Sequence, residues 1–283
     1  MIHQAKKSLG QNFLKSKPAL NMMCEAGEVG DKDTVLEIGP GKGALTEKLL
    51  SAQSALHNES DGEKAGKVIA IEKDRELFEF LQEKFKDGIK NEKLILVEDD
   101  ILEFEANAYG LKPSAYKLIA NIPYNITGAI LKKFLSCDNQ PERMVLLVQK
   151  EVAERIVARD GKESILSLSI KAYGTPKYVM KVSKRFFSPA PKVDSAIIAI
   201  TNISKVNFRS QEEETLFFDL IKTGFAHKRK VLRKNLEVGL PCIKNLEQID
   251  EIFGKLEING KARAEDINFE KWLEITRHLS TVF

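Results

Sequence analysis

The sequence predicts an α/β fold with a mostly parallel sheet, followed by a small C-terminal all-helical domain. Three observations carry this. Short apolar runs alternate with amphipathic stretches through the first half of the chain, the pattern of strands joined by crossover helices. Several runs end in a glycine, an acid or an amide. After Asn202 the strand-like runs stop and helical spacing takes over. The boundary is placed near Ser204, which divides the chain into domains 1–203 and 204–283.

Val35-Leu36-Glu37-Ile38 reads as a buried strand running into Gly39-Pro40-Gly41-Lys42-Gly43. A helix follows, with Leu45, Leu49 and Leu50 on one face. The polar stretch Ser51 to Gly66 reads as a surface loop. Val68 to Ile71 is a second strand ending at Glu72, and Arg75 to Phe85 a second helix. Leu94 to Val97 is a third strand ending at Asp99-Asp100, and Lys117 to Ala120 a fourth ending at Asn121. Met144 to Val148 is a fifth, with a helix from about Glu151 to Ala158. Ser167 to Ala172, Val179 to Val182 and Ser195 to Thr201 read as further strands, added antiparallel at one edge. Leu216 to Phe225, Val231 to Leu236, Leu246 to Leu256 and Phe269 to Leu279 have helical spacing.

Composition narrows the function classes. The chain has 283 residues and 43% hydrophobic content, enough for a sizeable core. Lys+Arg 44 against Asp+Glu 41 leaves a net charge of +3, so only local clusters can speak for nucleic acid. Cys24, Cys137 and Cys242 are isolated and odd in number, which argues against a disulfide framework and for a reducing cytoplasm. His3, His57, His227 and His278 are scattered without metal-ligand spacing, so no metal is expected. No apolar run approaches the roughly 20 residues that span a bilayer, and residues 1–7 lack the apolar core of a signal peptide. A cytoplasmic protein without a membrane partner is expected.

The chemistry lies at the strand ends. Glycines at a strand's carboxyl end let backbone approach a ligand, with a helix N-terminus beyond. The spacing here is G-x-G-x-G with Glu37 just ahead, which favours S-adenosylmethionine over a dinucleotide. The same loop by itself also suits an ordinary tight turn. Glu72 is positioned to accept from both hydroxyls of a ribose, and Asp100 from an adenine amine; each taken singly also reads as a solvent-facing acid. Together they converge on the crevice of a doubly wound sheet.

Asn121-Ile122-Pro123-Tyr124 is the most informative strand end. An exocyclic adenine amine is a poor nucleophile because its lone pair is delocalised into the ring. Asn121 Oδ1 and a backbone carbonyl, of Ile122 or of Pro123, can accept its two hydrogens and free the lone pair for a methyl group. Tyr124 can stack on the base. The competing reading is a tight turn with a half-buried tyrosine. No Ser/His/Asp or Cys/His arrangement is present, and a sulfonium methyl needs none, since positioning and electrostatics suffice.

With these residues in view, the chain resembles the ribosomal RNA adenine N6-dimethyltransferase family, most of all its bacterial small-subunit (kasugamycin-resistance) members. The resemblance begins at Lys7-Ser8-Leu9-Gly10-Gln11-Asn12-Phe13-Leu14, similar to the family's cofactor-capping segment, and places Asn12 and Leu14 on cofactor-contacting positions. Gly39, with Gly41 in the same loop, Glu72, Asp100 and Asn121 fall on the remaining cofactor positions. Gln149 to Arg155 matches the segment after the fifth strand, and Phe187-Ser188-Pro189-Ala190-Pro191-Lys192-Val193-Asp194-Ser195 the F-x-P-x-P-x-V-x-S element. Phe187 is thereby implied as a second aromatic near the target base.

Gly224 to Arg233 resembles the family's A-F-x-x-R-R-K-x-L-R segment, and Arg263-Ala264-Glu265 also matches. Lys228, Arg229, Lys230, Arg233 and Lys234 place five positive charges in seven residues, a phosphate-contact patch or else a solvated basic helix face. Lys234 stands where the family usually has Asn, and the Ser51 to Gly66 stretch is longer than the family's.

The resemblance implies a Rossmann-like class I S-adenosylmethionine-dependent methyltransferase. Its implied reaction is dimethylation of two adjacent adenosines in a loop near the 3′ end of 16S rRNA, within an immature small subunit, by a monomer. Unpaired loop bases suit such an enzyme, because flipping them costs less. The alternatives are a 23S rRNA adenine methyltransferase of the same superfamily, or an assembly factor whose methylation is secondary.

Overall fold

The computed structural model describes residues 6, 9–56, 66–239 and 246–280. Backbone contacts divide the chain into two units, residues 1–153 with 175–203, and residues 154–174 with 204–283.

In the first unit the elements follow as β1 (Phe13–Leu14), α1 (Lys17–Ala26), β2 (Thr34–Ile38), α2 (Ala44–Leu56), β3 (Lys67–Glu72), α3 (Arg75–Lys84), α4 (Lys86–Lys90) and β4 (Leu94–Glu98). Then come β5 (Lys117–Asn121), α5 (Thr127–Ser136), β6 (Arg143–Gln149) and α6 (Lys150–Ile156), the last crossing into the second unit. The second unit supplies α7 (Ile165–Lys171) before the chain returns as β7 (Thr175–Val182), β8 (Phe187–Ser188) and β9 (Ser195–Thr201).

Seven strands form one sheet in the order β4-β3-β2-β5-β6-β9-β7. The first five are parallel, and β9 pairs antiparallel with both β6 and β7. The central strands are buried on both faces: Val35, Leu36, Val68, Ile69, Leu118, Ile119 and Val145 are all 0% exposed. That is why they read as continuous apolar runs rather than alternating ones. From β2 the chain moves out to β3 and β4, then returns to β5 on the other side of β2. The reversal opens a crevice at the carboxyl ends of β2 and β5.

Helix starts carry local signals. Ser16 caps α1, accepting from the Ala19 N–H at 3.3 Å, with Pro18 in the first turn. Asp74 caps α3 in the same way, accepting from Glu76 N–H at 3.1 Å. Leu77 and Leu81 form the buried stripe of α3.

Two segments depart from the sequence reading. Ser167 to Ala172, expected as a strand, instead forms the body of helix α7 up to Lys171, with Ala172 as its C-cap. Leu168 and Ile170 alternate with polar residues, a pattern too short to distinguish the two periods. Ser164 decides it: its hydroxyl accepts from Ser167 N–H at 3.1 Å while Ser167 Oγ accepts from Ser164 N–H at 2.7 Å, a reciprocal cap. Of the expected loop Ser51 to Gly66, residues 51–56 continue α2, and 57–65 lie outside the described residues.

The second unit is helical, with α8 (Gln211–Gly224), α9 (Leu232–Gly239), α10 (Leu246–Lys255) and α11 (Phe269–Ser280) after α7. Its core holds Phe217 and Trp272, both fully buried, and a ring cluster of Tyr173, Phe208 and Phe218 around Phe217. Ser210 caps α8, and Glu212, Glu213 and Glu214 sit in its first turn, where the helix dipole favours negative charge. Among the described residues no helix is long and apolar enough to cross a membrane, and no group of three His, Cys, Asp or Glu is placed to hold a metal.

Two features of β2 and its loop have measurable energetic consequences. Gly43 sits at φ +77°, and a Cβ there would lie 2.4 Å from the Phe85 ring. Gly43→Ala therefore combines a left-handed conformation with overpacking, each about 1–3 kcal/mol. A loss of at least about 2 kcal/mol is expected in urea denaturation, and an unchanged midpoint would contradict this packing.

Glu37, 1% exposed on β2, has its carboxyl pushed up to about 8, first by burial and then by the nearby Glu72 charge. A carboxyl with a raised folded-state pKa holds its proton more tightly folded than unfolded. Its stabilising effect is complete below the unfolded value near 4.5 and lost as pH rises through about 8. Glu37→Gln should therefore gain stability over the wild type between pH 5 and pH 8.5, by on the order of a few kcal/mol. Paired denaturation curves at the two pH values check it, and a pH-independent difference would refute it.

Candidate active site

The crevice holds a cavity of about 260 Å³ lined by residues 9–14, the 37–42 loop, the ends of β3 and β5, residues 99–102 and the 121–126 segment. Asn12, Leu14, Gly39, Gly41, Glu72, Asp100, Asn121, Ile122, Pro123 and Tyr124 all line it. All belong to the first unit.

The loop after β2 forms the floor. Gly39 has φ +64°, and a Cβ added there would meet nothing within 4 Å, because it would project into open space. A side chain at this position would occupy the place of a ligand. Glu72 closes the loop from β3. Its Oε2 accepts from Gly41 N–H at 3.0 Å and its Oε1 from Asp74 N–H at 2.9 Å. Burial raises its pKa, opposed by those N–H groups. One bond per oxygen leaves each oxygen a lone pair for a hydroxyl donor.

Asp100 is more exposed. Lys73 Nζ lies 2.6 Å from its Oδ2 and Leu102 N–H donates to its Oδ1 at 3.0 Å. Lys73, above all, holds its carboxyl below the usual range. Glu37 adds a buried carboxyl, kept protonated at neutral pH by that burial, whose Oε2 has no hydrogen-bond partner among the described residues. The wall therefore presents acceptors to a ligand carrying hydroxyls, amines and positive charge. These are the groups of S-adenosylmethionine, and the residues fit it.

At the end of β5, Asn121 Nδ2 donates to the Asn12 carbonyl at 3.2 Å. A carbonyl only accepts, so the amide nitrogen is fixed there and Oδ1 is the group left to the cavity. Pro123 contributes no N–H. Tyr124 is held at its tip, its hydroxyl 2.6 Å from Ser195 Oγ on β9. Burial raises its pKa, keeping it a neutral phenol.

Sequence reasoning missed the anchor of the N-terminal segment. Asp74 Oδ2 accepts from Gln11 Nε2 at 2.8 Å and its Oδ1 from Lys6 Nζ at 2.9 Å. The Lys6 N–H in turn donates to Gln11 Oε1 at 2.8 Å. Nothing in the sequence pairs Asp74 with Gln11. Lys7 and Ser8 of the same motif lie outside the described residues.

Phe187 and the basic cluster stand elsewhere. Phe187 does not line the cavity. It is 5% exposed in the hydrophobic core, paired across the β1–β8 ribbon with Leu14. Burial of its ring leaves it supporting Leu14, which does line the cavity, rather than facing a base. Lys228, Arg229 and Lys230 are exposed in the turn after α8, not on a helix face, and have no ion pair among the described residues. Arg233 on α9 is different: its Nε and Nη2 each lie 2.6 Å from the Asp250 carboxylate. Asn235 holds the turn, its Nδ2 donating to the Gly224 carbonyl at 2.5 Å and the His227 carbonyl at 3.2 Å.

Comparison with known proteins places this geometry. The model of the ribosomal RNA adenine dimethylase family matches residues 2–280. A ribosomal RNA small subunit methyltransferase A from Dehalococcoides mccartyi (strain CBDB1) is 40% identical over 272 residues, 96% of this chain and 87% of the relative. One from Fusobacterium nucleatum subsp. nucleatum is 37% identical over 279 residues, 98% of each. Two solved structures share the fold at 24% identity and a TM-score of 0.75. The 23S rRNA methyltransferase ErmE covers 95% of this chain with all of its own, and a dimethyladenosine transferase from Plasmodium falciparum covers 95% with 98% of its own. The chain belongs to the ribosomal RNA adenine dimethylase family, whose members are S-adenosylmethionine-dependent methyltransferases.

Proposed function

We propose that this protein transfers methyl groups from S-adenosylmethionine to N6 of two adjacent adenosines near the 3′ end of 16S rRNA, dimethylating each. In this reading it acts as a cytoplasmic monomer on an immature small subunit. The observation that carries it is the orientation of Asn121, whose Nδ2 is tied to the Asn12 carbonyl and whose Oδ1 is left to the cavity. Full-length similarity to relatives named for the small subunit supports that subunit over the large one.

The bound cofactor supplies a methyl group already activated by its sulfonium. The chain's own residues do the rest. The backbone at Gly39 and Gly41 gives close approach, and the free lone pairs of Glu72 take the ribose hydroxyls. Asp100, kept ionised by Lys73, accepts from the cofactor's adenine amine. Asn12 and Leu14 cover the site from the N-terminal segment. Asn121 Oδ1 and a carbonyl of Ile122 or Pro123 accept the two hydrogens of the target amine. As that nitrogen gains positive charge these bonds strengthen, which favours the transition state over the ground state. Tyr124, tethered to Ser195, offers its ring to the target base. Phe187 acts through Leu14 by holding the ribbon in register.

The test is the position of methylated adenines on ribosomal RNA from cells with and without the gene. It is joined to methyl transfer onto purified immature small subunits and onto large-subunit RNA. Two dimethylated adenosines near the 16S 3′ end that vanish with the gene are expected; incorporation into large-subunit RNA alone would overturn the reading. Asn121→Ala should lower transfer at least about a hundredfold, the scale of one lost transition-state partner. RNA affinity should stay within a few fold, and near-normal turnover would remove Asn121 from the chemistry.

We also assign the turn at Lys228, Arg229 and Lys230 to phosphate contact. Replacing Arg229 and Lys230 by Gln should reduce the slope of log affinity against log salt by about 0.7–0.9 per charge. Arg233→Gln should change it less, because Asp250 already neutralises that guanidinium. Equal slopes for wild type and the double variant would assign the turn to solvent.

A further inference from the structure

The turn after β7 carries a surface that the chemistry above does not use. Residues 184–186 make one 3₁₀ turn, and the two adjacent phenylalanines diverge there. Phe187 is buried at 5% exposure, whereas Phe186 is 37% exposed.

The backbone presenting Phe186 is fixed on all sides. Asp194 Oδ1 accepts from Lys184 N–H at 3.0 Å, and Asp194 Oδ2 pairs with Lys181 Nζ at 2.9 Å. The Phe186 N–H donates to the Ser183 carbonyl at 3.0 Å, and the Phe186 carbonyl accepts from Lys15 N–H at 2.8 Å. That last bond continues the β1–β8 ribbon, whose pairs are Phe13 with Ser188 and Leu14 with Phe187. Phe13 and Leu14 line the cavity, so Phe186 stands one residue pair beyond its wall.

The surroundings are cationic. The Arg185 guanidinium carbon lies 5.0 Å from the centre of the Phe186 ring. Lys15, Lys17, Lys184 and Lys192 are exposed on the same segments. Among the described residues no acid pairs with Lys15, Lys17, Arg185 or Lys192, and Asp194 is already engaged by Lys181 and the Lys184 N–H. A lone ring bordered by cations is too small an apolar patch for a protein partner. It does match single-stranded nucleic acid, whose bases stack on aromatic rings while its phosphates meet Lys and Arg.

We propose that Phe186, flanked by Lys15, Lys17, Lys184, Arg185 and Lys192, is a stacking platform for an unpaired nucleotide next to the target adenosine. The platform guides single-stranded RNA toward the cavity. It rests on the proposed function in taking RNA as the substrate. Here the phosphates give affinity and the ring fixes the position of the neighbouring base.

The test uses the full-length protein and a synthetic hairpin with the unmethylated adenine-bearing loop of the 16S 3′ end. Phe186→Leu keeps apolar area but removes the π face, and Phe186→Tyr keeps the face. Phe186→Leu should weaken hairpin binding about 5- to 100-fold, the scale of one stacked base. Phe186→Tyr should stay within about twofold. Replacing Lys15 and Arg185 by Gln should flatten the salt dependence by about 0.7 per charge, the single-strand value. Cofactor affinity and melting temperature should not change in any of these variants.

Hairpin affinity of Phe186→Leu within twofold of wild type, at an unchanged salt slope, would overturn the proposal. So would a defect seen on the ribosomal particle but absent on the naked hairpin, since that places a protein on the patch. Wild-type transfer to 16S adenines is scored separately. If it fails while Phe186-dependent hairpin binding persists, the substrate assignment falls and the platform stands.

Discussion

Parallel pairing of β2 with β3 and β5 brings three strand ends to one edge of the sheet, and the cavity is built from what stands there. Ile38 pairs with Ile71, so Glu72 emerges beside the glycine loop and reaches Gly41 N–H at 3.0 Å. β5 lies on the other side of β2 and delivers Asn121 to the same edge. A shift of register along β3 would carry Glu72 away from the loop it closes. The register is held by apolar side chains buried on both faces, which gives the site a rigid base.

The N-terminal segment closes this edge from outside, anchored by Leu14 in the hydrophobic core and by polar bonds at Gln11 and Asn12. Asp74 receives Gln11 and Lys6, while the Asn12 carbonyl receives Asn121. The same segment therefore contributes cavity wall and holds the Asn121 amide nitrogen. In the proposed mechanism, displacing Asn12 would free the Asn121 amide to rotate and its Oδ1 would lose its aim. Asp74 also caps α3, so the latch is mounted on a helix start rather than a loose loop.

How much of this the sequence discloses depends on the range of the interaction. The strand ends were legible because each combines a buried apolar run with a polar terminus, and parallel pairing then brings them together without further information. The glycine loop was legible for the same local reason. What the sequence left open is side-chain pairing across distant segments. Lys73 on Asp100, Asp74 on Gln11, Ser195 on Tyr124 and Asp250 on Arg233 join residues with no common pattern. Phe187 shows the limit from the other side: a residue type matched to a motif does not say which of two adjacent rings faces out. Ser167 to Ala172 failed on periodicity, since six residues fit both a strand and a capped helix, and a serine pair decided it.

The net charge of +3 concealed a division of labour. The cavity wall carries Glu72, Asp99 and Asp100 against Lys42 and Lys73, with Glu37 held protonated by burial. Its acceptors suit a cofactor bearing a sulfonium and a target amine that becomes cationic. The turn at Lys228 to Lys230 and the segments around Phe186 are the reverse, positive and exposed, as a polyanion requires. Opposite local charges on one chain cancel in the total, so the net charge of +3 describes neither region. A methyltransferase acting on RNA needs both, so a near-neutral total is what its two tasks produce together.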